Sequence, residues 1–292
     1  MTCSVGGLTG GKYCTAGNPE GVPTGIWFSP DDFSMDATSF LLKATFEAAV
    51  KAGNLSPIHG NLYKGWENAN AETKFHEFAN QSRSFMDSKK LRFSIVVDAN
   101  ECQEKQLHKF TGYTGRVFVE YGNMIRGMSQ DADETIKGLR TSMVYVETGD
   151  FNMSDGTKGT VKINIDLLTE TDKSKHGYTR EMEWDTIDID GLTEVDLLTV
   201  GTTTATELIL DIASNCYGTT FGMSGLVLAD FTITGTGTIT SITESETVSG
   251  RYLLVTVGLA NSDLINLVDA PSISVTDYFI QSGGALVVSG IA

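Results

Sequence analysis

Apolar and polar positions alternate along most of this chain, and the helical period surfaces in only two places. In Leu91–Asp98, Phe93, Ile95 and Val97 alternate with Arg92, Ser94 and Val96, the two-residue period of a strand. Ile26-Trp27-Phe28 is a short apolar strand ahead of the turn Ser29-Pro30-Asp31-Asp32, and Leu62–Trp66 reads as another strand. Asp36–Ala52 predicts a helix: Ala37, Phe40, Leu41, Ala44, Ala48 and Ala49 share one face, Asp36 caps the start and Gly53-Asn54 ends it. A second, short helix is expected over Asn100–Phe110, with Glu101 and Lys105 at a favourable spacing for opposite charges. Glu72–Met86 fits either a weakly amphipathic helix or a long loop.

Two hairpins follow. Arg116–Tyr121 and Met124–Met128 are joined by Gly122-Asn123, a pair suited to the positive φ angles of a two-residue turn. Leu139–Thr148 then pairs with Thr160–Leu168 across the long polar link Gly149–Gly159, which carries Phe151 and Met153. A link of that length costs little extra entropy to close, and such loops commonly make contacts. From Glu207 the pattern is all strand: Glu207–Ile212, Leu226–Ile233, Gly237–Ile242, Tyr252–Val257, Ile273–Thr276 and Ala285–Val288, with turn residues between them. Short strands at that spacing predict a β-sandwich.

Composition divides the chain in the same way. From Glu181 onward Arg251 is the only Lys or Arg, against fifteen Asp and Glu, and Thr, Gly, Ser and Val fill the remaining positions. The expected organisation is an extended Gly- and Pro-bearing arm over 1–25, an assembly domain over 26–199 and a β-sandwich over 200–292, with Thr202-Thr203-Thr204 as linker. The fold class expected is mainly β with one or two helices.

The formal net charge of −16 disfavours a protein that grips duplex DNA, since phosphate contacts need Lys and Arg. It suits a surface past which nucleic acid slides. Cys3, Cys14, Cys102 and Cys216 form no C-x-x-C pair, so reduced thiols in a cytosolic compartment are expected. The first residues have neither a basic nor an apolar signal region, and no apolar run reaches the roughly 18 residues of a membrane span. No membrane partner is expected.

Catalytic patterns are weak. Gly6–Lys12 has the G-x-x-x-x-G-K spacing, but Tyr13 stands where the magnesium-holding Ser or Thr would be, so a flexible arm is the expectation. Gly222-Met223-Ser224-Gly225 lacks the spacing of a nucleophile elbow. His59, His76, His108 and His176 form no zinc pair, and His108 reads as a surface histidine. Asp185, Asp188 and Asp190, interleaved with Ile187 and Ile189, read as an acidic strand face; calcium binding or a wall facing DNA are the alternatives. No catalytic residue, metal site or cofactor is expected.

The order strand, helix, strand, short helix, tight hairpin and long-looped hairpin over 26–195 resembles the tail tube proteins of tailed phages. The stretches Gly115–Gly127 and Ile136-Lys137-Gly138-Leu139 stand out within it. A trailing immunoglobulin-like domain is also common in phage tail proteins. The resemblance implies a β-sandwich or barrel core with a flanking helix, closing into stacked, hexameric rings through edge strands. It implies that Phe151, Asn152, Met153, Ser154, Asp155 and Lys158 reach the next ring. It also implies that Asp185, Asp188 and Asp190 face DNA in an acidic lumen, and that the last domain decorates the outside. Partners would be further copies, other tail proteins, and DNA that passes without specific binding. The location would be the virion tail, after synthesis in the host cytoplasm. The long segments before Trp27 and over 54–90 suit a capsid, connector or ring protein instead, and a capsid-decoration or head-fibre protein is a further alternative within the virion. A carbohydrate- or surface-binding module built on Trp27, Trp66 and Trp184 is the alternative of another class.

Overall fold

The computed structural model describes residues 22–59, 63–68, 74–77, 83–87, 92–99, 101–129, 135–147, 149, 159–168, 177–214, 222–273 and 280–291. The fold is mixed α+β and dominated by strands. The chain divides into two compact units, Met1–Ala49 with Asn54–Ile189, and Asp190–Ala292 with Val50–Gly53.

In the first unit the strands are β1 (Gly25–Ser29), β2 (Met35–Asp36), β3 (Ser56–Ile58), β4 (Tyr63–Asn68), β5 (Lys74–Glu77), β6 (Arg83–Asp87), β7 (Arg92–Asp98), β8 (Arg116–Tyr121), β9 (Met124–Ser129), β10 (Thr135–Lys137), β11 (Leu139–Val146), β12 (Thr160–Leu167) and β13 (Gly177–Glu181). The helices are α1 (Lys43–Lys51) and α2 (Glu101–Leu107). All these strands except the β5–β6 pair join one sheet.

That sheet forks at β8. Along one edge β8 pairs with β1 from Arg116 to Glu120. Along the other, Val119–Tyr121 pair with β9 while Arg116–Val117 pair with β11. One branch continues through β9 to β13, the other through β11, β12 and β7 to β4. Two backbones leaving one strand need close approach, and glycine supplies it. A Cβ on Gly127 would lie 2.5 Å from the Lys137 carbonyl oxygen and 2.9 Å from the Phe118 ring. One on Gly138 would lie 2.9 Å from Arg116 Cβ and the Val117 backbone. Gly127 and Gly138, one from each stretch that stood out in the sequence, thus sit where the sheet divides.

Alternation sets what each branch buries. Ile26 and Phe28 of β1 and Val117 and Val119 of β8 share a core with Ile95, Val97, Val144, Val146, Val161, Ile163 and Ile165 of the other branch. On the reverse face of β1, Trp27 packs edge-on against Phe46 of α1, ring centroids 5.3 Å apart.

The helix starts later than the sequence pattern predicts. Asp36 Oδ1 accepts from the N–H groups of Thr38 and Ser39, each at 2.9 Å, and a 3-10 turn occupies Ser39–Leu41. Extended Leu42 breaks the path before α1 begins. The expected apolar face holds only in part: Phe40 and Ala49 are buried, whereas Ala37, Leu41, Ala44 and Ala48 are exposed and Phe46 is buried instead. Glu72–Met86, open between helix and loop, contains the paired strands β5 and β6.

The second unit contains β14 (Thr193–Thr199), β15 (Glu207–Ser214), β16 (Phe231–Thr234), β17 (Thr238–Glu244), β18 (Arg251–Val257), β19 (Leu264–Leu267), β20 (Ile280–Ser282) and β21 (Leu286–Val287). One sheet runs β17-β18-β15-β14-β20 and a second runs β16-β19-β21. Both contribute to one core around Leu208, Leu210, Ile212, Tyr252, Leu254 and Ile265.

The division between the units falls after Ile189, ten residues before the expected 199/200 limit. β14 pairs with β15 and β20 and buries Val195 and Leu197 in the second core, so the segment expected to end the first domain belongs to the second. Within the expected strand Leu226–Ile233, a 3-10 turn takes Leu228–Asp230 and the strand begins at Phe231. In the expected strand Ile273–Thr276, Ile273 follows a 3-10 turn and the rest lies outside the described residues.

Candidate functional site

The first unit closes around a buried carboxylate. Glu120 points from β8 into the interior, fully buried. Trp27 Nε1–H donates to its Oε2 at 2.9 Å and the Thr24 hydroxyl donates to its Oε1 at 3.2 Å. His59 Nδ1 lies 2.9 Å from Oε2, and His59 Nε2 lies 2.9 Å from the carbonyl oxygen of Ile189. A carbonyl can only accept, so Nε2 carries a hydrogen; the Nδ1–Oε2 contact then holds one further proton, and the pair is neutral as a whole. Gly25 makes room for it, because a Cβ there would lie 2.5 Å from His59 Cβ. No local sequence pattern marks this cluster, since its members are spread from residue 24 to residue 189. Its chemistry is that of a clamp: every polar atom named is occupied by protein.

The long hairpin is expected to carry the contact residues. β11 and β12 pair from Thr141 to Val146, with a bulge between Thr141 and Met143. The link between them is pinned at both roots. Gly149 N–H donates to Glu104 Oε1 at 2.8 Å, and Ala99 N–H donates to the Gly159 carbonyl at 3.1 Å. Phe151, Asn152, Met153, Ser154, Asp155 and Lys158 lie outside the described residues. So does the Gly6–Lys12 motif.

The outward face of this branch is polar and cross-linked. Arg92 reaches Asp166 with two bonds of 2.5 and 2.6 Å, which raises the guanidinium pKa. Lys162 pairs with Glu67 at 2.5 Å, and Ser94 and Glu147 both bond Asn164. Met143 and Tyr145 of β11 stand about half exposed on it, at 47% and 50%.

Asp185, Asp188 and Asp190 do not form a strand face. Thr186–Asp188 is a 3-10 turn capped by Asp185, whose Oδ1 accepts from Ile187 N–H at 3.3 Å. Asp188 Oδ2 pairs with Lys43 Nζ at 3.2 Å. Asp190 is exposed and belongs to the second unit. Among the described residues no three His, Cys, Asp or Glu side chains are placed to share a metal ion, so the calcium alternative has no ligand set there. Of the three tryptophans of the expected platform, Trp27 is fully buried, Trp66 is half-buried and stacks on Phe93 at 4.2 Å, and Trp184 is half-buried with its ring 5.2 Å from that of Phe46.

In the second unit the carboxylates are held by backbone. Asp263 accepts from the N–H groups of Thr236, Gly237 and Ala260 at 3.0, 3.0 and 2.9 Å. Those bonds, led by the one from Thr236, hold its pKa below the ordinary 3.8. Burial pushes Glu244 upward, but bonds from Gly225 N–H, Ser224, Gly250 N–H and Tyr252 outweigh it, and its pKa is lowered. Ser224 lies 2.7 Å from the Ser249 hydroxyl and beside this carboxylate, in a turn-fixing network. Among side-chain partners, Arg251 gives Asp211 a two-bond ion pair at 2.6 and 2.8 Å.

No family model matches this chain, and no curated protein matches it.

Proposed function

We propose that this protein is a structural subunit of a tailed-phage particle, assembling with further copies into stacked, hexameric rings that form a tail tube. In this reading the forked sheet of the first unit is a tube-type sandwich or barrel, and the second unit is an immunoglobulin-like sandwich carried on the outside. DNA passes through the lumen without specific binding, other tail proteins are the remaining partners, and the chain performs no catalysis. The observation that carries the reading is the long hairpin whose link is fixed at Gly149 and Gly159 against the Ala99–Glu104 segment. A link whose two roots are fixed leaves the pairing of β11 with β12 intact, whatever its own residues contact. The charge of −16 supports a wall that repels phosphate.

Deleting Phe151–Lys158 tests it by negative-stain microscopy. The intact chain is expected to give stacked rings. The deletion is expected to keep the fold by circular dichroism and to lose stacking. Normal tubes from the deletion variant would refute the role of the link.

A further inference from the structure

The two units fill the outer faces of their sheets differently. On the β11-β12-β7-β4 branch of the first unit, Arg92, Asp166, Lys162, Glu67 and Asn164 occupy that face with ion pairs and hydrogen bonds. On β15 and β18 of the second unit, apolar side chains occupy both faces. Leu208, Leu210, Tyr252 and Leu254 point into the core. Ile209, Leu253, Val255 and Val257 alternate with them and point outward; the first three are half-buried, and Val257 is 60% exposed. Leu198 of β14 follows core residue Leu197 and is 47% exposed on the same outer face.

The register joins these five side chains into one stripe. Leu253, Val255 and Val257 follow one another along β18, Ile209 lies opposite Leu253, and Leu198 lies opposite Asp211, the next outward position of β15. From Val257 to Leu198 the stripe runs diagonally, about 20 Å along the strands and about 10 Å across them. Strands that are apolar on both faces have the pattern of a sheet covered on both, and a contiguous exposed apolar stripe marks a contact surface.

The charges beside the stripe leave one sign unanswered. Arg251, the only Lys or Arg from Glu181 onward, is tied to Asp211 by two bonds. Glu207 stands opposite Val255, and Asp196 two residues before Leu198; neither carboxylate is hydrogen-bonded or ion-paired to a described residue.

We propose that this stripe is the docking site of an amphipathic helix of a partner protein, whose apolar residues lie on Leu198, Ile209, Leu253, Val255 and Val257 and whose flanking residues are Lys or Arg. A helix with its side chains is about 10 Å wide and covers about 20 Å in roughly fourteen residues, which fits the stripe in both directions. The free carboxylates at its margin select cations on the partner. They also hold off a second copy of this chain, whose own face is equally acidic. Docking of such a helix needs the second unit alone and is independent of ring formation.

Methyl NMR on the full chain tests this with synthetic helices of about fourteen residues. One carries a Leu stripe bordered by Lys, a second has Glu in place of the Lys, and a third has Ser in place of the Leu. The first is expected to shift the methyl signals of Leu198, Ile209, Leu253, Val255 and Val257, with an affinity that falls as salt is added. The second and third are expected to bind about tenfold more weakly or worse. Leu253→Thr with Val255→Thr keeps strand-favouring residues; it is expected to weaken the first helix about tenfold with an unchanged circular dichroism spectrum. Asp196→Lys with Glu207→Lys, at the margin, is expected to shift the preference toward the Glu-bordered helix. Shifts centred on other methyls, equal affinity for the Lys- and Glu-bordered helices, or no binding overturn the proposal. So do shifts of the same five methyls when the chain alone is concentrated, because a second copy is then the occupant. A monomeric chain that binds the first helix in this way keeps the docking site and contradicts only the assembly role.

Discussion

The two units satisfy their interior carboxylates in different currencies. In the first, Glu120 is held by side chains from distant segments: Thr24, Trp27 and His59. Arg116, another buried ion, reaches the Asp31 and Gly138 carbonyls and the Met128 sulfur beside the fork. In the second, Asp263 and Glu244 are held largely by backbone N–H groups in glycine-bearing turns, and Arg251 is used on Asp211. In the stretch where Arg251 is the only Lys or Arg, turns that present N–H groups hold these two acids, a role that cations could otherwise fill. Gly235 shows how tight the fit is, since a Cβ there would lie 2.0 Å from Asp263 Oδ1.

The contrast makes graded predictions. Glu120→Ala strips the partner from His59 and Trp27 in the interior, and it should lower stability by about 3–5 kcal/mol, the range for breaking a buried pair. Urea denaturation followed by Trp fluorescence measures it; a loss near zero would mean the cluster is no clamp. Gly127→Ala forces a methyl against the Lys137 carbonyl at the fork and should cost about 1–3 kcal/mol in the same assay. A neutral result would show that the branches can part.

For the second unit the test is pH. Folding lowers the pKa of Asp263, so its contribution is fully present above the unfolded value near 3.8 and is lost as pH falls through the folded value. Asp263→Asn should flatten the acid limb of the melting temperature between about pH 4 and pH 2, and an unchanged limb would move the acid sensitivity elsewhere. The smallest effect belongs to the outward face. Lys162→Gln removes an exposed pair with Glu67 and should change stability by about 0–1 kcal/mol; a larger loss would give that face a structural role.

Local patterns were legible in the sequence wherever neighbours decide the outcome. The hairpin at Gly122-Asn123 turns in the structure with Tyr121 opposite Met124, and Arg92–Asp98 is a strand. Residues whose fate depends on remote partners were not legible. Thr193–Thr199 is expected to end the first domain, yet it lies between β15 and β20 in the second. Leu264–Leu267 is short and interrupted by Asn266, and it becomes a strand by pairing with β16 and β21. At the acidic turn, the Asp185 carboxylate captures the Ile187 N–H and closes a 3-10 turn where alternation predicted a strand. The Glu120 clamp left no local trace, because its parts are joined only by the pairing of β1 with β8 and β3.

The central claim is that this chain is an assembly subunit, and sedimentation velocity across a series of protein and salt concentrations addresses it most directly. The account predicts that mass grows with protein concentration toward one closed ring and then toward multiples of it. A single monomeric species at every concentration and every salt would contradict it.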